Sequence, residues 1–294
     1  MIPPLYKYLS VSSAKAVLEN RSLRWSTPRT LNDPFDMQTG VLLNLPDQEI
    51  VDLALTEIWY RINNDFEAEN KLGVAINNLR LSGISPSKDE VVEKFSAGLF
   101  LSIEKFRNRL PAFNSDVISG LKNCKILCLS SVRDQQLMWA HYADGQSGVA
   151  LEFSIPIGTD SPLKLAKPIA YVDDPPNILT KEQMASFLSG GRRLEAKVLL
   201  DLFVYTKSKD WAYESEWRIS AFEGRNKDAA FEDVSFYPQE LVAVNFGCKT
   251  SEEHIALFIE LAAKINPYMK FFIARKDGHR LSFLELQKNV ENLR

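Results

Sequence analysis

Lys209-Asp210-Trp211-Ala212-Tyr213-Glu214-Ser215-Glu216-Trp217-Arg218-Ile219 is the stretch on which the reading of this chain turns. Side chains alternate between the two faces of a strand. In extended backbone Glu214, Glu216 and Arg218 therefore share one face, and Ser215, Trp217 and Ile219 share the other. Trp217 and Ile219 mark a face packed on a core. Two carboxylates and a guanidinium are costly to bury unless they pair with one another. A surface Glu–Arg ladder is one outcome; a polar face lining a cleft is the expected one. A strand-borne Glu-x-Glu pair also suits cleavage of an N-glycosidic bond, whose oxocarbenium-like transition state is stabilised by a carboxylate near the ribose. One glutamate would hold the ribose hydroxyl while the other positions the acceptor.

Working outward, Leu5-Tyr6-Lys7-Tyr8-Leu9 reads as a first strand, and Ser10 to Asn20 as a short helix with Ser12 or Ser13 as N-cap. Ser22 to Ser26 is a second strand with Leu23 and Trp25 on one face. From Pro46 to about Leu121 apolar residues recur at helical spacing, with Gly83 and Pro86 as punctuation, which predicts three or four helices. Strands are expected at Lys125–Ser130, Val149–Phe153, Lys164–Val172, Glu216–Phe222, Leu241–Phe246 and Met269–Ala274. Helices are expected at Gln135–Ala143, at Lys181–Leu202 with a break near Gly190-Gly191, and at Ser251–Ile265 with Ser251 as N-cap. The expectation is an α+β chain forming one domain over residues 1–294, with a helical insert at about 46–122.

Composition narrows the function classes. With 294 residues, 45% hydrophobic and 25% charged, the chain can bury a sizeable core. A formal net charge of -3 leaves no global field for a polyanion. Cys124, Cys128 and Cys248 suit a reducing compartment rather than a disulfide framework. No metal role is assigned to them, because no second pair completes a zinc spacing. The amino-terminal residues carry no signal-peptide pattern, and no apolar run has the length of a membrane span. A cytoplasmic protein without membrane contact is expected.

Two further segments carry chemistry. In Asn32-Asp33-Pro34-Phe35-Asp36 the side chains of Asn32 and Asp33 can close an Asx-type turn pinned by Phe35; alternatively Asp33 or Asp36 points into a cleft and orients a ligand or a cation. In Met138-Trp139-Ala140-His141-Tyr142, helical spacing brings Met138 beside His141 and Tyr142. Trp139 and Tyr142 are either core residues, with His141 in a structural hydrogen bond, or a platform for a planar ring, with His141 or Tyr142 as its polar partner.

The ordered combination of Leu5-Tyr6-Lys7-Tyr8, Leu31-Asn32-Asp33-Pro34-Phe35-Asp36, Leu137-Met138-Trp139-Ala140-His141-Tyr142-Ala143-Asp144-Gly145 and Lys209 to Arg218 resembles the bacterial domain of unknown function 2971 family. A more distant resemblance is to the ADP-ribosyltransferase superfamily, which carries a polar residue on its first strand, Ser on a later strand and often Glu-x-Glu on the last. That resemblance implies a mixed, mostly antiparallel sheet core with a helical insertion, NAD as substrate, and a toxin or phage-defence setting. It makes Glu216 the catalytic carboxylate with Glu214 beside it, oriented by Ser130 or Ser131. Tyr6, Lys7 and Tyr8 would meet the cofactor with Asp33, Asp36 and Arg218, and Trp139, His141 and Tyr142 would wall the nicotinamide. The chain departs from that superfamily in offering Lys7, a point charge, where Arg or His is usual.

Three functions are consistent with these residues. The first is an NAD-consuming enzyme, a transferase to a macromolecular acceptor that the sequence does not name or an NAD hydrolase. The second is a non-catalytic module binding a nucleotide or small metabolite. The third is a nuclease holding Mg²⁺ on Asp33, Asp36, Glu214 and Glu216. The helical insert also offers a docking face for a partner protein.

Overall fold

The computed structural model describes residues 2–221 and 223–287, and Phe222 of the expected strand lies outside them. The chain divides into two compact units. The first comprises the chain up to Asp36, Leu121–Tyr171, and the chain from Lys207 onward; the second comprises Met37–Gly120 and Val172–Thr206.

In chain order the elements are β1 (Leu5–Leu9), α1 (Val11–Asn20), β2 (Ser22–Ser26), α2 (Asp47–Asn63), α3 (Lys71–Leu81), α4 (Lys88–Leu121), β3 (Lys125–Ser130), α5 (Gln136–Tyr142), β4 (Val149–Phe153), β5 (Lys167–Pro168), β6 (Ala170–Val172), α6 (Lys181–Leu188), α7 (Ala196–Val204), β7 (Thr206–Ser208), β8 (Glu216–Ala221), β9 (Phe231–Ser235), β10 (Leu241–Phe246), α8 (Glu252–Ile265), β11 (Lys270–Asp277) and β12 (Arg280–Glu285).

The first unit is α+β, built on one open, mostly antiparallel sheet. Its strand order is β12-β11-β10-β4-β1-β3-β2-β9, with β8 on β3 and β5 on β8. Among the described residues the pairs are antiparallel except β10 with β11, which run parallel across α8. One face is mainly apolar: Leu5, Leu127, Leu129, Val149, Leu151, Phe153, Ile219 and Val244 pack under Ala14, Val17 and Leu18 of α1 and Phe258, Ala262 and Ile265 of α8. The opposite face holds a smaller aromatic cluster, in which Met138, Trp139 and Ala143 meet Tyr6, Tyr8 and Ala150. Trp139 is wholly buried there, with its indole N–H donating to the Arg133 carbonyl at 2.7 Å and its ring edge-on to Tyr8 at 5.2 Å.

Local chemistry explains most boundaries. Ser10, rather than Ser12 or Ser13, caps α1, its Oγ accepting from the Ser13 amide; Ser251 caps α8 by accepting from His254. The expected strand over Lys164–Val172 is instead a 3₁₀ turn at Pro162–Leu165 followed by the short β5 and β6. Gly190 and Gly191 separate α6 from α7 as expected, and Thr180 with Gln183 forms a capping box at the start of α6.

The second unit is helical, with α2 through α4 supplying the three helices of the 46–121 segment. Among the described residues no helix is long and apolar enough to cross a membrane.

Leu151 lies at the centre of the main core, with neither β10 nor β1 leaving its strand an open edge. Replacing it with Ala should lower stability by about 2–5 kcal/mol, read as a fall in the denaturant midpoint without a change of slope.

Candidate functional site

The second edge of β3 is shared by two strands that touch it at opposite ends. β1 meets β3 at Tyr6 opposite Ser130, and β2 meets it at Ser26 opposite Ile126. Between those points the sheet opens as a wedge, and the backbone of β3 there needs other partners. Lys7 supplies one: its ammonium donates to the Cys128 carbonyl at 2.9 Å. Burial pulls the Lys7 pKa below its ordinary value. The wedge is a cavity of about 270 Å³. Tyr6, Lys7 and Tyr8 line one wall and Arg24 and Ser26 another, with Asn32, Tyr142, Lys207, Glu214 and Glu216 completing it.

A buried charge network forms one end of this cavity. Arg218 is fully buried and grips two carboxylates at once. Its Nη1 and Nη2 reach Asp36 at 3.0 and 2.6 Å, and its Nε and Nη2 reach Glu216 at 2.8 and 3.2 Å. Lys207 lies 2.5 Å from Glu214, 3.2 Å from Glu216 and 3.7 Å from Asp36, with the Trp211 ring 4.8 Å from its ammonium. Burial alone would lower the Lys207 pKa, but the charges of Glu216, Glu214 and Asp36 hold it above its ordinary value. Burial likewise opposes ionisation of Glu216, yet Arg218 and Lys207 overcome it and keep that carboxyl at about 2. At Glu214 burial outweighs the pull of Lys207, so its pKa is raised. Two neighbouring carboxyls are thus driven in opposite directions.

Glu214 and Glu216 converge by a route that strand alternation does not describe. β8 begins at Glu216, and Glu214 ends the preceding 3₁₀ turn. Ser215 between them adopts a left-handed conformation, φ 44°, which turns the chain. Ser130 donates to the Glu214 carbonyl at 2.7 Å, and Ser131 donates through both amide and hydroxyl to the Ser215 carbonyl at 3.0 and 3.1 Å. These serines clamp the backbone that carries the glutamates. The Tyr142 hydroxyl donates to Glu214 Oε1 at 2.5 Å and accepts from Asn32 at 2.7 Å. The Glu216 amide donates to the Tyr171 hydroxyl at 2.8 Å.

Other expected residues sit elsewhere. Asp33 accepts from the Phe35 amide at 2.9 Å, closing the Asx turn, while the Phe35 ring is largely exposed rather than seated in the core. Trp139 belongs to the aromatic core, so Met138 and Tyr142 are the α5 residues lining the cavity. His141 is exposed, with Nδ1 3.1 Å from the Tyr213 hydroxyl. Tyr6 is pushed up to about 12 by burial and the Glu152 carboxylate, and Tyr8 is raised by burial. Both phenols are protonated at neutral pH. Lys207 was missing from the sequence expectations. Three carboxylates facing one arginine imply a second buried cation, but nothing local marks Thr206-Lys207-Ser208 as its source. Among the described residues no group of three or more His, Cys, Asp or Glu is placed to hold a metal ion.

Residues 138–219 match the family model described as a protein of unknown function (DUF2971). That match runs from α5 through most of β8, so it spans Tyr142, Lys207, Glu214, Glu216 and Arg218. Neither a curated protein nor a solved structure matched the chain.

Removing Lys207 leaves the buried Glu214 without its cation, while Asp36 and Glu216 keep Arg218. Lys207→Met should cost about 3–5 kcal/mol at neutral pH. Glu216 titrates at about 2 rather than its ordinary 4.5, so the stability it lends is in place above 4.5 and is lost as pH falls toward 2. Urea unfolding of both proteins should therefore show the gap between wild type and Lys207→Met narrowing as pH falls, beginning above 4.5, where Glu214 without its cation takes up a proton, and continuing toward 2 as Glu216 is discharged in both.

Proposed function

We propose that the cavity binds a nucleotide through its ribose and cleaves the N-glycosidic bond, with NAD as substrate. The observation that carries this reading is the pair Glu214 and Glu216, which sit together in one cavity with their acidities driven apart. Such a split is how one site keeps a fixed charge beside a proton carrier. Glu216, ionised throughout the physiological range, would stabilise the positive charge that develops at the ribose. Glu214, with its raised pKa and its hydrogen bond to Tyr142, would take the proton of the attacking water or acceptor hydroxyl. Nicotinamide leaves as a neutral molecule, so no general acid is required on that side. Tyr6 and Tyr142 would present ring surface to the nicotinamide riboside half, and Lys7 and Arg24, the latter paired with Asp233 at 3.0 Å, would supply positive charge for the phosphates.

This reading accords with the distant resemblance of the Glu-x-Glu segment to ADP-ribosyltransferases and with the toxin or phage-defence setting it implies. A second reading has its own observation. Asp36 and Glu216 are already bound by Arg218 and Lys207, a network that rigidifies a site without needing chemistry. The same cavity would then bind a nucleotide or small metabolite without turning it over.

Purified protein incubated with NAD should release free nicotinamide. Glu216→Gln should slow that release by about 100-fold or more. Tyr142→Phe, which removes only the hydroxyl on Glu214, should lower the rate and displace the pH profile while leaving the fold intact. Binding without release, seen as stabilisation of about 2.7 kcal/mol at a hundredfold excess of NAD over its Kd, would support the module instead. Neither binding nor release would remove NAD as the ligand.

A further inference from the structure

The helical unit contains a cavity of its own that the nucleotide reading does not use. It measures about 530 Å³ and lies between α4, the residue Ile178 ahead of α6, the end of α6, and the segment entering α7. That size is in the range of small-molecule sites, roughly 300–1,000 Å³. Its walls are mainly apolar: Phe106, Leu110 and Phe113 come from successive turns of α4, and Phe187 and Leu199 face them from α6 and α7. Phe106 and Phe187 meet edge to face at 6.1 Å across the groove, and Phe113 meets Phe203 in the same manner at 6.2 Å.

The charged lining has one sign. Lys105 and Arg109, one turn apart on α4, are its charged members, and no carboxylate lines the cavity. Neither cation has an ion pair or side-chain hydrogen bond among the described residues. Arg107 between them behaves differently, since it is committed to Asp47 and to the Leu43 carbonyl. Two unpaired cations over an apolar, aromatic-walled groove are complementary to a molecule with an anionic head and a hydrocarbon body.

We infer that this groove is a binding site for an amphiphilic carboxylate of the medium-chain fatty-acid class, its chain lying among Phe106, Leu110, Phe113 and Phe187 and its head paired with Lys105 and Arg109. The head group contributes through two charge-assisted hydrogen bonds, of which the arginine's is bidentate-capable. The chain contributes by burial, at about 25 cal/mol per Å² of apolar surface removed from water.

Calorimetric titration of the full chain with decanoate, and separately with decanol, tests the assignment. The expected result is saturable binding of one decanoate per chain, with decanol at least about tenfold weaker, a difference of about 1.4 kcal/mol. The double variant Lys105→Gln/Arg109→Gln alters exposed side chains and should keep its unfolding midpoint, yet lose decanoate affinity by about tenfold or more. Phe113→Ser should weaken both probes. Absence of saturable binding would overturn the inference. Equal affinity for decanol and decanoate, or a double variant that binds decanoate like the wild type, would also overturn it.

Discussion

Five charged side chains buried together set the terms for the rest of the sheet unit. Asp36, Glu214 and Glu216 face Lys207 and Arg218, and each is nearly or wholly removed from solvent. Ions in such a place are tolerated only when every one is paired. Three carboxylates against two cations leave one negative charge in excess, and the strain of that excess falls on Glu214, whose pKa burial raises and whose Oε1 accepts from the phenol of Tyr142. The network also ties together segments far apart in sequence. Asp36 closes the amino-terminal part of the unit, Lys207 is where the chain re-enters it, and Arg218 lies within β8.

The site exists because the sheet is incomplete beside that network. β1 and β2 each hold β3 at a single point and diverge elsewhere, so backbone groups that a closed sheet would pair are turned toward a cavity. Lys7 stands in for a missing ladder bond, and Ser130 and Ser131 hold the carbonyls just beyond the strand end. The side of the sheet that carries α5 presents Tyr6, Glu216 and Arg218, while Lys7 reaches the same opening from the Leu5 side of β1.

Much of this was legible in the sequence, because periodicity reports burial. The alternation in Ser22–Ser26 placed Leu23 and Trp25 inside, and both are buried. Trp217 and Ile219 were expected on a core face and pack there. The segments that escaped notice are the edge strands β9 and β12, which bury no residue fully; in β12 only the short alternation of Leu281 and Phe283, half-buried against the aromatic cluster, marked it. Glu214 was expected on the same strand as Glu216. It reaches the same place through the left-handed Ser215, a backbone choice that serine does not advertise. Asp36 and Arg218 were singled out separately, but their bidentate pairing depends on a tertiary approach. Lys207 illustrates the same limit, since its importance comes entirely from its distant partners.

The account rests on Glu214 and Glu216 being chemically unlike despite their proximity. Carbon-13 labelling of glutamate side chains, followed by a pH titration of the carboxyl resonances in solution, measures this directly. Glu216 should stay ionised down to about pH 2, and Glu214 should titrate above the ordinary glutamate value of 4.5. Two carboxyls titrating together near that ordinary value would contradict the buried network and the division of roles built on it.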